Sequence, residues 1–131
     1  MKNFIYHDFP QLERVDGPEG RVYNTPTGQK YPSITRVTGL LTEDSIKQWR
    51  GRVGEAEANR VSTKAANRGT RIHTLCEDFL KGKPVEPNMF DIEFWNELKP
   101  YVDKIDNIHA LESKLYSDKL QVAGTVDCIG D

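Results

Sequence analysis

The sequence has no long apolar run, few cysteines and no large net charge. No stretch approaches the ~20 apolar residues that a membrane-spanning helix requires, and the first residues, MKNFIYHDFPQL, lack the basic-then-apolar pattern of a secretory signal. The two cysteines, Cys76 and Cys128, indicate reduced core thiols, not a disulfide framework or a zinc site. These absences predict an intracellular, cytoplasmic protein that does not act at a membrane.

The net charge of -2 conceals an uneven distribution of charged residues. Residues 47–71, the basic block, hold seven basic residues against two acidic ones, whereas residues 72–131 hold twelve acidic residues against six lysines. A basic surface that binds a polyanion, next to a site made of carboxylates, would have this charge distribution. A basic helix face that is simply exposed to solvent would have it as well. Alanine-rich packing would leave four basic side chains for solvent or phosphate: Arg52, Arg60, Lys64 and Arg68.

The 131 residues predict one α/β domain of the α+β kind in three successive regions. Residues 1–32 form an irregular β-hairpin platform, because DGPEG and TPTG are turn sequences between short strands at 12–15, 21–24 and 29–31. Residues 33–106 are helical, with Ser33 and Thr42 as caps, a break at Gly54 and separate helices over 55–67, 69–80 and 89–98 before a kink at Pro100. Residues 107–131 alternate as a second β-hairpin.

One helix places potential ligands on a single line. In RGTRIHTLCE, Gly69, His73 and Glu77 are four residues apart, so the imidazole and the carboxylate project side by side. They could share one ligand or merely hydrogen-bond each other. The line borders a core-facing stripe that consists of Ile72, Leu75, Cys76, Phe79 and Leu80.

Asp127 is a single acid within an otherwise apolar strand. Burying a carboxylate costs several kcal/mol unless a cation or a donor compensates it. Mg²⁺ or Mn²⁺ would do so, since both bind carboxylate oxygens and Mn²⁺ also accepts the imidazole that His73 offers. The alternative is that Asp127 lies at a strand end and hydrogen-bonds a loop.

Several motifs occur in an order that resembles the PD-(D/E)XK nuclease superfamily, in its RecB-like branch of phage exonucleases and mitochondrial genome maintenance exonucleases. RGTRIHTLCEDFL is similar to the Gly-x-x-x-His-x-x-x-Glu helix of that family, and ESKLY followed by AGTVDCIGD is similar to its first two core strands. RVYNTPTGQKYPSITRVTGLL and WRGRVGE resemble the lead-in of the phage members. The resemblance implies the first helix and first two strands of a restriction-endonuclease-like core, with that core incomplete.

The resemblance also implies roles for individual residues. Asp127 would be the strand carboxylate that holds a Mg²⁺ or Mn²⁺ ion, His73 a further metal ligand, and Glu77 the helix acid that supports the site. Glu112 would be a recurrent acid of the adjacent strand. The metal would activate water for attack on a phosphodiester. Gly69 would shape the helix, and Gly124 and Thr125 would shape the strand beside Asp127. Arg68 and Arg71 would contact phosphate.

The family pattern includes a (D/E)-x-K pair on a third strand, which would follow Asp131. The resemblance therefore implies an amino-terminal or split portion of a nuclease, whose missing strand a second polypeptide would supply. Glu112-Ser113-Lys114 fits the text of that motif, but it precedes the Asp127 strand, and alternation would point Glu112 and Lys114 to one face.

The function expected from the resemblance is a metal-dependent DNA exonuclease that acts on single-stranded ends. Two alternatives belong to other classes. In the first, the basic block binds nucleic acid without catalysis, so binding is salt-sensitive and survives loss of Asp127. In the second, the exposed edge of the Asp127 strand pairs with a protein partner.

Overall fold

The computed structural model describes residues 1–131 and shows a mixed α+β protein with a three-stranded antiparallel sheet, four helices and a two-stranded hairpin. This confirms the order of strands and helices predicted from the sequence. None of the helices has the length and apolar character needed to cross a membrane. The elements are β1 (Glu13–Gly17), β2 (Gly20–Asn24), β3 (Lys30–Pro32), α1 (Ile34–Gly39), α2 (Glu43–Val53), α3 (Glu55–Leu80), α4 (Ile92–Val102), β4 (Ala110–Ser117) and β5 (Val122–Ile129).

The first sheet has the strand order β1-β2-β3, with Gly17 opposite Gly20 at the first turn and Val22 opposite Pro32. Gly20 takes a φ of 111°, which a glycine adopts at little cost, so the DGPEG turn forms as the sequence predicts. The buried face of the sheet meets the hairpin in a small cluster of Leu12, Tyr23, Tyr31 and Ala123.

Two short helices follow this sheet. The Ser33 hydroxyl accepts a hydrogen bond from the backbone N–H of Thr35, so it caps α1 as predicted. Thr42 lies at the N-cap of α2 but makes no side-chain capping bond, which corrects the prediction of a Thr42 cap; its hydroxyl donates to the carbonyl of Gly39. Gly54, with a φ of 87°, separates α2 from α3.

α3 is one continuous helix of 26 residues, not the two helices predicted over 55–67 and 69–80. Gly69 lies inside it. A glycine in a helix interior costs only about 1 kcal/mol relative to alanine, and the surrounding alanines, arginines and glutamates favour the helix. His73 and Glu77 therefore extend from the same rigid element as the basic residues upstream of them.

α4 and the hairpin pack against the second half of α3. Pro100 lies within α4, which continues to Val102 instead of ending at the proline. Leu80, Val102 and Ile108 are the buried centre of this second cluster, and Leu111 and Cys128 of the hairpin pack on it. The hairpin thus lies between the first sheet and the helices.

The outer edge of β5 is covered at one point only. Ser33 forms an isolated parallel bridge with Ala123, so the end of the first sheet meets the beginning of β5. The outer edge of β4 is approached by the N-terminal residues, where the N–H of Ile5 donates to the carbonyl of Ile108 at 2.8 Å. Part of the exposed strand edge expected from the sequence is therefore occupied.

Candidate metal centre

Three side chains from three elements converge beside α3. Ligand atoms of His73 on α3, Glu112 on β4 and Asp127 on β5 all lie within 4.8 Å of one another. Nδ1 of His73 and Oδ1 of Asp127 are 3.4 Å apart. We call these three residues the triad.

The hairpin register explains how two carboxylates meet. Leu111 pairs with Cys128 and Ser113 with Val126, so the residues between them, Glu112 and Asp127, fall opposite each other. Directly opposed like charges on neighbouring strands are unfavourable unless something compensates them. A cation between the two carboxylates would provide that compensation.

Glu112 has an unusual backbone. Its φ of 51° lies in the left-handed region, which a non-glycine residue inside a strand rarely adopts. This breaks the alternation expected for β4, and Glu112 lines the same cavity as its neighbour Leu111. Lys114, in contrast, donates from Nζ to the carbonyl of Leu12 at 3.3 Å, just before β1. The prediction that Glu112 and Lys114 share one face is therefore wrong.

Asp127 is more open than the sequence predicts. Its side chain is 66% exposed and that of His73 is 57% exposed, so the cost of burying a carboxylate does not apply in this structure. The apolar residues around Asp127 suggested that it is buried too. Its neighbour Cys128 does pack on the core, but the Asp127 side chain lies at the surface. The convergence of the three side chains, and not burial, is what favours a metal ion at this place.

The donor set of the triad fits a hard divalent cation with mixed ligands. It offers one imidazole nitrogen and two carboxylates, which suits Mn²⁺ and, through the carboxylates, Mg²⁺. Because the side chains are exposed, water and a substrate oxygen have access to the remaining coordination positions. The triad is open, as a catalytic site would be, and not closed like a purely structural one.

Glu77 lies beside the triad but outside it. Its Oε1 accepts a hydrogen bond from Nζ of Lys81 at 2.5 Å, and its side chain is 29% exposed. Lys81 is a residue that the sequence reasoning missed, although the signal was present: it is the next member of the four-residue line through Gly69, His73 and Glu77.

The triad and Glu77 border a cavity of about 290 Å³ between α3, α4 and the hairpin. Most of its lining is apolar. Cys76 and Cys128 also line it, and burial, with a smaller contribution from the Asp127 carboxylate, raises the pKa of both thiols. Both cysteines are free, as predicted.

Several residues of the basic block are already engaged with protein groups. Arg71 donates to the Asp91 carboxylate from Nε at 2.7 Å and from a terminal nitrogen at 3.1 Å. Arg60 pairs with Glu57 at 2.6 Å, and the guanidinium of Arg68 lies 4.8 Å from the ring centre of Phe94. Arg52 and Lys64 are exposed and form no ion pair, so these two are the most available to a phosphate.

The residues expected to shape the backbone have identifiable neighbours. A Cβ at Gly124 would lie 3.0 Å from Cγ2 of Ile34, so the glycine permits the close approach of α1 to β5. The hydroxyls of Thr125 and Tyr23 are 2.9 Å apart and hydrogen-bonded. At Gly69 a Cβ would meet nothing within 4 Å, so packing inside the chain does not explain this glycine.

Comparison with protein-family models, with curated proteins and with solved structures finds no match for this chain.

Proposed function

We propose that the chain carries a metal-dependent DNA exonuclease site of the PD-(D/E)XK type, which hydrolyses phosphodiesters at single-stranded ends. The single observation that carries the proposal is the triad, because His73, Glu112 and Asp127 come from distant parts of the chain and still converge within 4.8 Å. The resemblance in sequence assigns two of these residues, His73 and Asp127, to the metal, and it makes Glu112 an acid of the adjacent strand; Glu112 as a third ligand is proposed from its position in the triad.

The proposed arrangement is the beginning of a restriction-endonuclease-like core. α3 packs against the hairpin through the cluster around Leu80 and Cys128. This contact brings a helix histidine next to the strand carboxylates, which is the relation that a nuclease of this type requires.

The reaction adds water to a phosphodiester: the water oxygen bonds to phosphorus, and the bond to the leaving sugar oxygen breaks. A divalent cation, when bound, would polarise the water and the phosphate and offset the charge that develops. Asp127 and His73 would hold this cation and Glu112 would complete its carboxylate ligands. Glu77 would support the site from the next turn of α3.

The substrate is proposed to be DNA because a cationic surface leads to the triad along one helix. Lys64 and Arg68 are on α3 upstream of His73, and Arg52 is near the end of α2. Charges on this path would bind successive phosphates of a single strand.

Mn²⁺ binding measured by calorimetry and by electron paramagnetic resonance tests the metal site directly. We expect one ion per chain, with binding strongly weakened in Asp127→Asn. Asp8→Asn serves as the matched control, since Asp8 is exposed and forms no ion pair. A parent protein that binds no Mn²⁺ would refute the proposal.

Cleavage of end-labelled single-stranded DNA with Mg²⁺ or Mn²⁺ tests the reaction. We expect shortening from an end that disappears in Asp127→Asn and persists in the Asp8→Asn control. DNA binding that is salt-sensitive, needs no metal and survives Asp127→Asn without any cleavage would instead favour a non-catalytic nucleic-acid-binding module.

A further inference from the structure

Two of the three histidines in the chain face each other outside the triad. Nε2 of His7 and Nδ1 of His109 are 2.7 Å apart, and the ring centres are separated by 4.9 Å with an angle of 30° between the ring planes. The two residues are 102 positions apart in the sequence. The remaining histidine, His73, belongs to the triad. The fold therefore brings together two imidazoles that neither the sequence motifs nor the triad uses.

Backbone pairing positions the two rings. Residues 3–7, which we call the N-terminal segment, run parallel to the chain that leads into β4. The N–H of Ile108 donates to the carbonyl of Asn3 at 2.7 Å, and the carbonyl of Ile108 accepts from the N–H of Ile5 at 2.8 Å. His109 follows Ile108 directly. The histidine pair thus lies where the N-terminal segment meets the start of β4.

The spacing of the two ring nitrogens is close to that of two ligands on one metal ion. Imidazole nitrogens bind a metal at about 2.0–2.1 Å, so two of them at a right angle are about 3 Å apart. In the absence of an ion, one nitrogen of the pair donates a hydrogen bond and the other accepts it. Opening the contact by a few tenths of an ångström, roughly, would turn this hydrogen bond into a two-nitrogen metal site.

The pair is accessible and can bind an ion without a change in its own charge. His7 is exposed and His109 is half-buried, so water can occupy the other coordination positions. A neutral imidazole carries its proton on either nitrogen. When an ion binds, the ring that donated the hydrogen bond moves its proton to its far nitrogen, and both rings stay neutral.

The ligands of the pair select a different class of metal from those of the triad. The triad is the one group of three or more histidine, cysteine, aspartate or glutamate ligands that converge in this fold, so no carboxylate or thiol joins His7 and His109. Two imidazoles suit Cu²⁺, Ni²⁺ and Zn²⁺, whereas Mg²⁺ prefers oxygen ligands. The two sites therefore differ in the ions that they bind.

We propose that His7 and His109 together bind one divalent cation of the Cu²⁺ or Zn²⁺ type, and that the bound ion fastens the N-terminal segment to the start of β4. The inference does not depend on the proposed function. Because the ion joins two segments that otherwise separate when their backbone hydrogen bonds open, it stabilises the closed state of the bonds at Ile108.

The first test counts the imidazoles on bound Cu²⁺ by pulsed electron paramagnetic resonance. It uses the full chain with Asp127→Asn, which weakens the triad as a competing site. We expect two imidazole nitrogens on one Cu²⁺ in this background, and no more than one after His7→Gln or His109→Gln. Either substitution should weaken Cu²⁺ binding by about 10²-fold or more, because the second nitrogen acts as an intramolecular ligand. Asp8→Asn, next to His7, is the matched control and should keep both nitrogens.

The second test measures hydrogen exchange of the Ile5 and Ile108 amides by NMR, with and without Zn²⁺. At a Zn²⁺ concentration ten times the Kd, exchange that requires opening of this pairing should slow by about tenfold in the chain with an intact pair. It should not slow in His7→Gln.

Three results would overturn the proposal. Cu²⁺ that shows one imidazole or none in the Asp127→Asn background would mean that the two rings only hydrogen-bond each other. An unchanged Cu²⁺ signal after His7→Gln would place the ion elsewhere, and exchange at Ile108 that ignores Zn²⁺ would refute the fastening. Should a glutamine variant fail to fold, the imidazole count and the exchange rates of the chain with an intact pair decide. The proposed nuclease function is tested separately, by Mn²⁺ at the triad.

Discussion

Glu112 and Asp127 lie opposite each other in the β4–β5 hairpin, and Glu112 has a left-handed backbone with a φ of 51°. Two further non-glycine residues have positive φ, Asn107 and Gln121, and both are outside the strands. Strain inside a strand persists where the surroundings impose it, and such positions are concentrated at functional sites. The backbone at Glu112 therefore supports the assignment of the triad as a site.

Glycine at position 112 is expected to be tolerated better than alanine. A left-handed conformation costs a non-glycine residue roughly 1–2 kcal/mol, which Glu112→Gly avoids and Glu112→Ala does not. We therefore expect Glu112→Gly to exceed Glu112→Ala in its free energy of unfolding by about 1 kcal/mol, while both variants lose Mn²⁺ affinity. Urea denaturation measures the difference.

The adjacent residue Ser113 provides the control for this comparison. Its φ is not positive, so alanine should be more stable than glycine there, by roughly 0.5–1 kcal/mol. The same order at both positions, with alanine more stable at 112 as well, would mean that Glu112 is not strained in solution.

The pair between Arg71 and Asp91 is expected to stabilise the contact between α3 and the start of α4. The Asp91 side chain is 2% exposed and receives two hydrogen bonds from Arg71, which lower the pKa of its carboxyl. Arg71→Met leaves that carboxylate without its partner, so at pH 7 the melting temperature should fall by several degrees. Arg52→Met is the control, since Arg52 forms no ion pair.

The pH dependence of this effect follows from the lowered pKa of Asp91. A carboxyl whose folded-state pKa is depressed contributes stability above its ordinary value of 3.8, and this is lost as pH falls through the folded-state value. The gap in melting temperature between the parent and Arg71→Met should therefore be full at neutral pH and narrow below about pH 4. A constant gap down to pH 3 would exclude the ion pair as its cause.

DNA binding is expected to depend on individual cations of the basic block. For single strands, the slope of log K against log salt concentration changes by about 0.7 for each phosphate contact. Lys64→Met should reduce the slope by about that amount, because Lys64 is exposed and unpaired. Lys119→Met, in the β4–β5 turn outside the block, should leave the slope unchanged, and equal effects of the two substitutions would argue against a localised binding surface.

Local signals in the sequence predict the fold well. Turn sequences, the Ser33 cap and the break at Gly54 act within a few residues, and each appears where it was expected. The continuity of α3 through Gly69 was missed because it reflects a sum over many residues, in which a single glycine is outweighed.

Two of the three members of the triad were predictable from the sequence as metal ligands, but the geometry of the triad was not. His73 and Asp127 could be chosen from residue type and spacing, yet the exposure of Asp127 and the departure of Glu112 from alternation depend on how the hairpin packs on α3. The ion pair of Arg71 with Asp91 joins α3 to the residue just before α4, twenty positions further along the chain, and no periodicity predicts such a contact.

The joint between α2 and α3 is expected to require glycine at position 54. Gly54 has a φ of 87° and a ψ of 150°, a conformation that is almost restricted to glycine, whereas Gly51 lies within α2. A Cβ at either position would meet nothing within 4 Å, so the two substitutions differ only in backbone conformation. Gly54→Ala should lower the free energy of unfolding by about 1–3 kcal/mol, and Gly51→Ala should raise it by roughly 0.5–1 kcal/mol. Opposite signs in thermal or urea unfolding would establish Gly54 as the residue that ends α2 and orients α3 toward the hairpin; a neutral Gly54→Ala would mean that the two helices adopt another joint in solution.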